Sequence, residues 1–347
     1  MQDMRTAIVI LNWNTKDYLR RFLPALISSC EGLDAEVVVA DSASADGSLE
    51  MMRAEFPQVH TVPLDSNYGF TGGYNRALEQ VYAEYYLLIN SDIEVPQGWL
   101  APLVDWIDSH PDCGVCGPKL HRLLPEGRST MLEYAGAAGG WIDRFGYPFC
   151  RGRVPGRTAE DVGQYDVPTD VMWVSGACML TRAPLWHELG GLDARFFAHM
   201  EEIDYCWRAQ LAGWKVTVVP ESVVYHIGGG TLPQTSPFKL KLNYRNNMLL
   251  LDNNLAATIG RGRARRRMAV RRFLDLGSAF VYLLSGRLDS FKAVRDAHRE
   301  YRGLKRSSAG AEGVVAVKGL IPVCILLQTA IRGKRIFSYL RKYEDSH

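Results

Sequence analysis

The sequence predicts an α/β protein: a mostly parallel sheet flanked by helices, followed by a helical, basic and apolar C-terminal extension. Three observations predict it. Short β-branched runs alternate with segments of helical spacing from Ala7 to Leu120. The residues just after those runs are polar, and in such sheets the carboxyl ends of the strands carry the ligand site. After about residue 250 the composition shifts towards arginine.

Taken in order, Ala7–Leu11 reads as a buried strand, Lys16–Cys30 as a helix and Glu36–Ala40 as a second strand. A polar turn at Asp41–Gly47 leads to a helix over Ser48–Glu55, ended by Pro57, and then to a strand at Val59–Pro63. A helix over Gly72–Glu84 and a strand at Tyr85–Ile89 follow, then a helix over Pro96–His110 and a strand at Gly114–Leu120. From Leu123 to Pro168, Gly, Pro and Arg break the pattern, which reads as an irregular acceptor-side insertion or lid. Regularity returns with a strand at Val171–Thr181, a helix over Glu201–Ala212 and strands at Val216–Pro220 and Val223–His226. Residues 1–250 therefore read as one large domain and 251–347 as the extension.

Of the 347 residues, 47% are hydrophobic and 22% charged, which excludes general disorder. A net charge of +2 produces no strong overall field, and no nucleic-acid partner is expected. Seven scattered cysteines, an odd number, argue against a disulfide framework and for a reducing cytosol. Cys113 and Cys116 read as buried strand residues, because no second pair completes a metal site. The N-terminal apolar stretch has no small-residue cleavage site after it, so no secretory signal is expected.

The extension leaves three readings open. Arg261, Arg263, Arg265, Arg266, Arg267, Arg271 and Arg272 precede an apolar helical pattern at Leu274–Leu284, and a second apolar run spans Gly313–Ile331. That run could cross a membrane, although Lys318 and Pro322 weaken it. It could lie on an anionic membrane surface as a basic amphipathic element, or pack on the core with a solvated arginine face.

Five segments carry chemistry. Asn90-Ser91-Asp92 follows a strand, where a carboxylate can hold a hard cation that bridges phosphates; an Asx-turn is the bland alternative. Asp65 to Asn75 holds Asn67, Gly69, Phe70, Gly72, Gly73 and Asn75, glycines that admit close backbone approach before a helix N-terminus. It lacks the order of a dinucleotide fingerprint, which counts against a nicotinamide dehydrogenase. Asp41 ends a strand and can accept a hydrogen bond from a nucleobase, while Asp46 and Ser48 read as a turn and a cap. Glu201, Glu202 and Asp204 open a helix, either to complement its dipole or to include a general base; Asp204 and Arg208 can pair at i, i+4. His226, before Gly228-Gly229-Gly230, is a core histidine or a metal ligand.

Together these segments resemble the family 2 glycosyltransferases with the GT-A fold, especially the rhamnosyltransferase-like branch, over roughly residues 5–250. The resemblance implies a Rossmann-like core. Asn12-Trp13-Asn14 resembles the first nucleotide-contacting turn, Asp41 the nucleobase aspartate, and Asn67 through Asn75 the hallmark loop near the nucleotide. Asn90-Ser91-Asp92 resembles the DXD metal motif with Asn in its first position, so Asp92 is the sure carboxylate. Glu201-Glu202-Ile203-Asp204 resembles the Glu-Asp-x-Asp motif, whose second member, the base, is here Glu202; Glu201 is the second choice. His226 resembles the histidine that completes the metal site, and Trp173, Ser175, Gly176 and Ala177 the turn lining donor sugar and acceptor.

What the resemblance implies is inverting transfer from a nucleoside-diphosphate sugar, such as thymidine diphosphate rhamnose or a uridine diphosphate sugar. A Mg²⁺ or Mn²⁺ ion would assist, and the acceptor would be a saccharide or lipid-linked saccharide in surface polysaccharide synthesis. The expected location is the cytoplasm, at the inner face of the membrane if the extension docks there. Asn90 and Glu202, which depart from the family's usual residues, leave room for an inactive nucleotide-sugar-binding protein as the alternative.

Overall fold

A computed structural model describes residues 4–133, 135–228, 236–305 and 313–344. Its central sheet begins with β1 (Met4–Asn12), β2 (Ala35–Asp41), β3 (His60–Pro63) and β4 (Ala83–Ile89), all mutually parallel in the order β3-β2-β1-β4. Helices α1 (Lys16–Ser28), α2 (Ser48–Glu55) and α3 (Gly69–Leu78) connect them. Along β1, Ile8 and Ile10 face one core with Leu19, Met51 and Leu103, while Ala7 and Val9 face a second core with Tyr74 and Trp207. Both faces are covered, which is why these strands read as continuous apolar runs.

The sheet continues through β5 (Ile93–Glu94), β6 (Cys113–Leu124), β7 (Gly127–Leu132), β12 (Thr169–Asp170), β13 (Cys178–Arg182) and β14 (Lys215–His226). β13 runs antiparallel between β4 and β6, and β6 and β14 are parallel. The sheet is therefore mixed, parallel through β1–β4 and antiparallel about β13. The expected strand at Val171–Thr181 forms only from Cys178, because Ser175 folds a turn: its hydroxyl accepts from the Ala177 N–H and donates to the Ala135 carbonyl. The two strands expected at Val216–Pro220 and Val223–His226 are one, with an irregular register between Val218 and Val223 that accommodates Pro220. The helix expected over Gly72–Glu84 starts three residues earlier, where Asn67 Oδ1 accepts from Gly69 N–H, and stops at Leu78. The Pro96–His110 helix is confined to α4 (Ala101–Ser109). Cys113 and Cys116 are buried in β6, and both are free thiols.

The insertion is not irregular. Strands β8 (Gly140–Asp143), β9 (Pro148–Cys150), β10 (Arg153–Val154) and β11 (Arg157–Thr158) form a second sheet with β15 (Leu320–Ile321). Two- to four-residue strands are too short to display an alternating pattern. This sheet shares a small core, including Trp141, Phe149, Ile321 and Ile336, with α10 (Ile325–Arg332) and α11 (Ile336–Leu340).

Beyond α5 (Ala183–Glu188) and α6 (Glu201–Leu211), three long helices complete the described chain: α7 (Pro237–Ile259), α8 (Arg261–Leu284) and α9 (Leu288–Leu304). The division expected at residue 250 falls inside α7, whose Met248, Leu249, Leu250, Leu251 and Leu255 belong to the main core. The apolar run Gly313–Ile331 is not a spanning segment: Leu320–Ile321 joins the second sheet and Ile325–Arg332 is a short helix. Among the described residues, no helix is long and apolar enough to cross a membrane.

Candidate active site

Parallel pairing brings the polar strand ends together. Asn12 and Asp41 are register partners on β1 and β2, and both are buried. Asn12 Nδ2 donates to Asp41 Oδ2 at 2.6 Å, and the other Asp41 oxygen accepts from Ser44 N–H at 2.9 Å. Thr15 hydroxyl donates to Asn12 Oδ1 at 2.5 Å and lies 2.9 Å from Ser91 Oγ, tying the first turn to the Asn90–Asp92 turn. Asn12 and Asp41 thus form the floor of the strand ends, while their neighbours Trp13 and Ser42 line a cavity of about 490 Å³.

Asn67, Gly69 and Phe70 line the same cavity. Gly69 has φ of +69°, and a Cβ there would lie 2.5 Å from Phe197 Cδ2 and 2.6 Å from the Phe197 carbonyl. Only glycine meets both demands. Gly73 and Asn75 are not in the cavity lining. A Cβ on Gly73 would come within 2.7 Å of Leu11, so this glycine seats α3 on β1. Asn75 clamps the Leu192 backbone, donating to its carbonyl at 2.7 Å and accepting from its N–H at 2.9 Å.

The short pairing of β5 with β14 sets Ile93 opposite His226 and so brings Asp92 against the histidine. His226 Nε2 lies 3.1 Å from Asp92 Oδ1 and 3.5 Å from Asn90 Nδ2. On the far side, His226 Nδ1 faces Glu133 Oε1 at 3.6 Å. Glu133 is buried at the end of β7, its N–H bonded to the Leu120 carbonyl. Burial works against charge on Asp92, but the hydrogen bond and charge of His226 prevail and hold its carboxyl below the usual range. Burial also opposes the imidazolium, yet Asp92 and Glu133 push His226 up to about 10.

Nδ1 of His226 and Oε1 of Glu133 have no hydrogen-bond partner, so this buried polar group is incompletely satisfied. Two adjacent ligands of a cation bound at about 2.1 Å stand about 3 Å apart, close to the Asp92–His226 separation. Among the described residues no cluster of three or more His, Cys, Asp or Glu could hold a metal ion. Two side chains leave most of a cation's coordination sphere open, which suits a hard ion that also takes phosphate oxygens. The segment Gly229–Gly230 lies outside the described residues.

α6 supplies the carboxylates opposite. Glu201 and Glu202 line the cavity, and each has a buried Oε2 with no hydrogen-bond partner. Glu202 packs over the turn of Ser175, Gly176 and Ala177: a Cβ on Gly176 would lie 3.2 Å from Glu202 Cβ. Burial pushes the Glu202 carboxyl up to about 7. Burial, reinforced by the neighbouring Glu202, raises Glu201 well above the carboxylate range. Asp204 turns away from the cavity. It accepts from Arg208 Nε at 2.7 Å and from the Asn253 and Asn254 amides at 2.8 Å each, locking α6 to α7.

The segment before α6 is strained. Phe197, His199 and Met200 have φ of 63°, 71° and 71°. α7 holds it in place: Asn246 Nδ2 reaches the carbonyls of Phe196, Ala198 and His199 at 3.0, 2.7 and 2.7 Å, and Arg245 donates to Phe196 at 2.7 Å. His199 also lines the cavity, and burial together with the charge of Lys239 lowers it to about 4. Glu133, His199 and Asn246 were not among the residues that the sequence motifs single out. His199 sits within the acidic segment; nothing local marks the other two.

Polar strand ends, the glycine loop and the acidic side chains of α6 thus line one cleft of an α/β fold. Residues 7–153 match the Glycosyl transferase family 2 model. The N-acetylglucosaminyl-diphospho-decaprenol L-rhamnosyltransferase of Mycobacterium tuberculosis is 27% identical over 236 residues, which cover 63% of this chain and 75% of that one. Among solved structures, the mannosyltransferase PcManGT from Pyrobaculum calidifontis, in complex with GDP-Man and Mn²⁺, superposes with a TM-score of 0.54 at 13% identity, covering 99% of this chain and 85% of that one. GalNAc-T7 with UDP, GalNAc and Mn²⁺ also gives 0.54, at 18% identity, over 70% of this chain. The chain spans only 47% of GalNAc-T7. The fold is GT-A. The family 2 match over residues 7–153 and the mycobacterial relative mark the chain as similar to family 2 glycosyltransferases, and rhamnosyltransferase-like in sequence.

Proposed function

We propose that the chain moves a sugar from a nucleoside-diphosphate donor to a hydroxyl of a saccharide or lipid-linked saccharide, inverting the anomeric centre. One observation carries the reading. Glu202, with an orphaned buried oxygen, and the Asp92–His226 pair line one cavity large enough for a sugar. Thymidine diphosphate rhamnose and uridine diphosphate sugars are the first donors to test, and the decaprenol-linked substrate named for the mycobacterial relative supports a lipid-linked acceptor.

In this reading Asp92 and His226 hold Mg²⁺ or Mn²⁺, with Asn90 beside them, and Asn12, Asp41, Asn67, Gly69 and Phe70 frame the nucleotide. Two structural neighbours were solved with Mn²⁺, which supports a cation. Gly73 and Asn75 contribute by holding α3 and the Leu192 turn, behind the cavity wall. When bound, the cation would neutralise charge on the departing diphosphate. Glu202 takes the acceptor proton while the acceptor oxygen bonds to the anomeric carbon and the bond from that carbon to the diphosphate breaks. Burial, with the neighbouring Glu202, raises the Glu201 carboxyl and so favours its uncharged form beside the base. All seven cysteines are free, which supports a reducing, cytoplasmic location.

A donor screen on the full chain, reading release of nucleoside diphosphate with and without Mn²⁺, tests the proposal. Turnover that Asp92→Ala and Glu202→Gln each reduce supports it. Turnover unchanged in both variants overturns the site assignment, and nucleotide binding without turnover of any donor would indicate a binding protein instead.

A further inference from the structure

We propose that α8 docks the protein on an anionic membrane surface, through an apolar ridge that the fold leaves outside. The helix is built inside out. Its inward face carries the polar network: Arg271 donates to Asp275 at 2.8 Å and contacts Asn247, and Asp275 lies 3.1 Å from His298 Nε2. Its outward face carries Val270, Phe273, Leu276, Phe280 and Leu284, which are 42%, 74%, 64%, 58% and 71% exposed. At 100° per residue these five fall within an arc of roughly 120°. A surface helix that serves only its own core does the reverse. Singly exposed apolar side chains need no explanation, but a continuous ridge beside Leu288, itself 53% exposed, does.

Charge names the occupant. Asp275 is the one carboxylate between Arg261 and Leu288, and it is buried. The exposed surface of this stretch is therefore wholly cationic where it is charged. Arg261, Arg263, Arg265 and Arg266 are exposed, and among the described residues none pairs with a carboxylate. Cations beside a phenylalanine and leucine ridge match lipid: headgroup phosphates take the arginines, and the acyl boundary takes the ridge. Nucleic acid would satisfy the arginines and leave the ridge wet. A second copy would bring one arginine cluster towards another. The inference stands on α8 alone and does not depend on the reading of the donor site.

Vesicle co-sedimentation of the full chain tests it. Vesicles of phosphatidylcholine alone are compared with vesicles containing one quarter phosphatidylglycerol, at low and high salt. The expected result is binding to the anionic vesicles that high salt weakens. Replacing Arg263, Arg265 and Arg266 by Gln should reduce that binding on the order of a hundredfold. Replacing Phe273, Phe280 and Leu284 by Ser should abolish it while leaving the thermal midpoint unchanged, since these side chains are already exposed. Wild-type binding by the serine variant, or no preference for anionic vesicles, overturns the proposal. So does absence of vesicle binding together with a dimer in sedimentation velocity that the serine variant disperses, which would make the occupant a second copy.

Discussion

His226 Nε2 and Asp92 Oδ1 stand 3.1 Å apart at the end of the central sheet, joined by a two-residue strand pairing. Behind them Glu133 faces the other imidazole nitrogen. A carboxylate in that position selects the ring tautomer and orientation of a ligating histidine. Glu133→Gln should therefore raise the Mn²⁺ concentration for half-maximal turnover by about 10- to 100-fold, with saturated kcat changed far less. A Mn²⁺ titration of turnover checks this, and an unchanged half-saturation would remove Glu133 from the site.

As the proposed base, Glu202 must be ionised to accept a proton, and burial pushes its carboxyl up to about 7. Activity at limiting acceptor should thus rise with pH and level off above about 7. Glu202→Gln should lose about 10²- to 10⁴-fold in kcat, whereas Glu202→Asp, one methylene shorter, should retain part of the activity and the rising limb. A pH–rate profile of the three proteins decides it.

The same burial predicts a stability effect. Glu201 and Glu202 titrate higher in the folded chain than the ordinary 4.5 of an unfolded one, so the folded state binds more protons in between. Their contribution is fully present below about pH 4.5 and is lost as pH rises through the folded value, about 7 for Glu202. Glu201→Gln removes one of the two titrations. Its thermal midpoint should fall less steeply than wild type from pH 5 towards neutrality and above, and should be the higher of the two at pH 8. Thermal scans across that window supply the comparison.

Gly69→Ala would place a Cβ 2.5 Å from the Phe197 ring at a φ of +69°. The expected outcome is loss of nucleotide binding with the chain still folded, read by calorimetric titration and circular dichroism. Binding at wild-type affinity would mean that Phe197 can move aside at little cost.

Asn246→Ala leaves three carbonyls of the strained 196–199 segment without their amide donor. Denaturant unfolding should register a loss of about 1–3 kcal/mol. Turnover should fall as well, because that segment aims Glu201 and Glu202.

Much of this was legible in the sequence where one physical demand dominated. β1, β2 and β4 are buried on both faces, so their apolar runs and the polar residues after them stand out. Glu201, Glu202, Asp92 and His226 were legible as residue types in a fixed order, and all four line one cavity. Other features had no local signature. β13 is antiparallel because of long-range pairing with β4 and β6. Strands β8–β11 are too short for periodicity. Glu133 is one carboxylate after an edge strand, and only the crossing of β6 brings it to His226. Gly73 and Asn75 belonged to the right loop, but their positions on α3 point them at β1 and at Leu192.

The hold of α7 on the segment before α6 bears on how such enzymes can be recombined. Asn246 and Arg245 lie four and five residues before position 250, on a helix that continues to Ile259. A hybrid that takes its N-terminal part from this chain and its tail from a relative, spliced within α7, would divide one rigid rod between two ancestries. The part that carries the candidate site and the part that carries α8 are then not interchangeable modules: a workable splice has to carry α7 whole, together with the partners of Asp204.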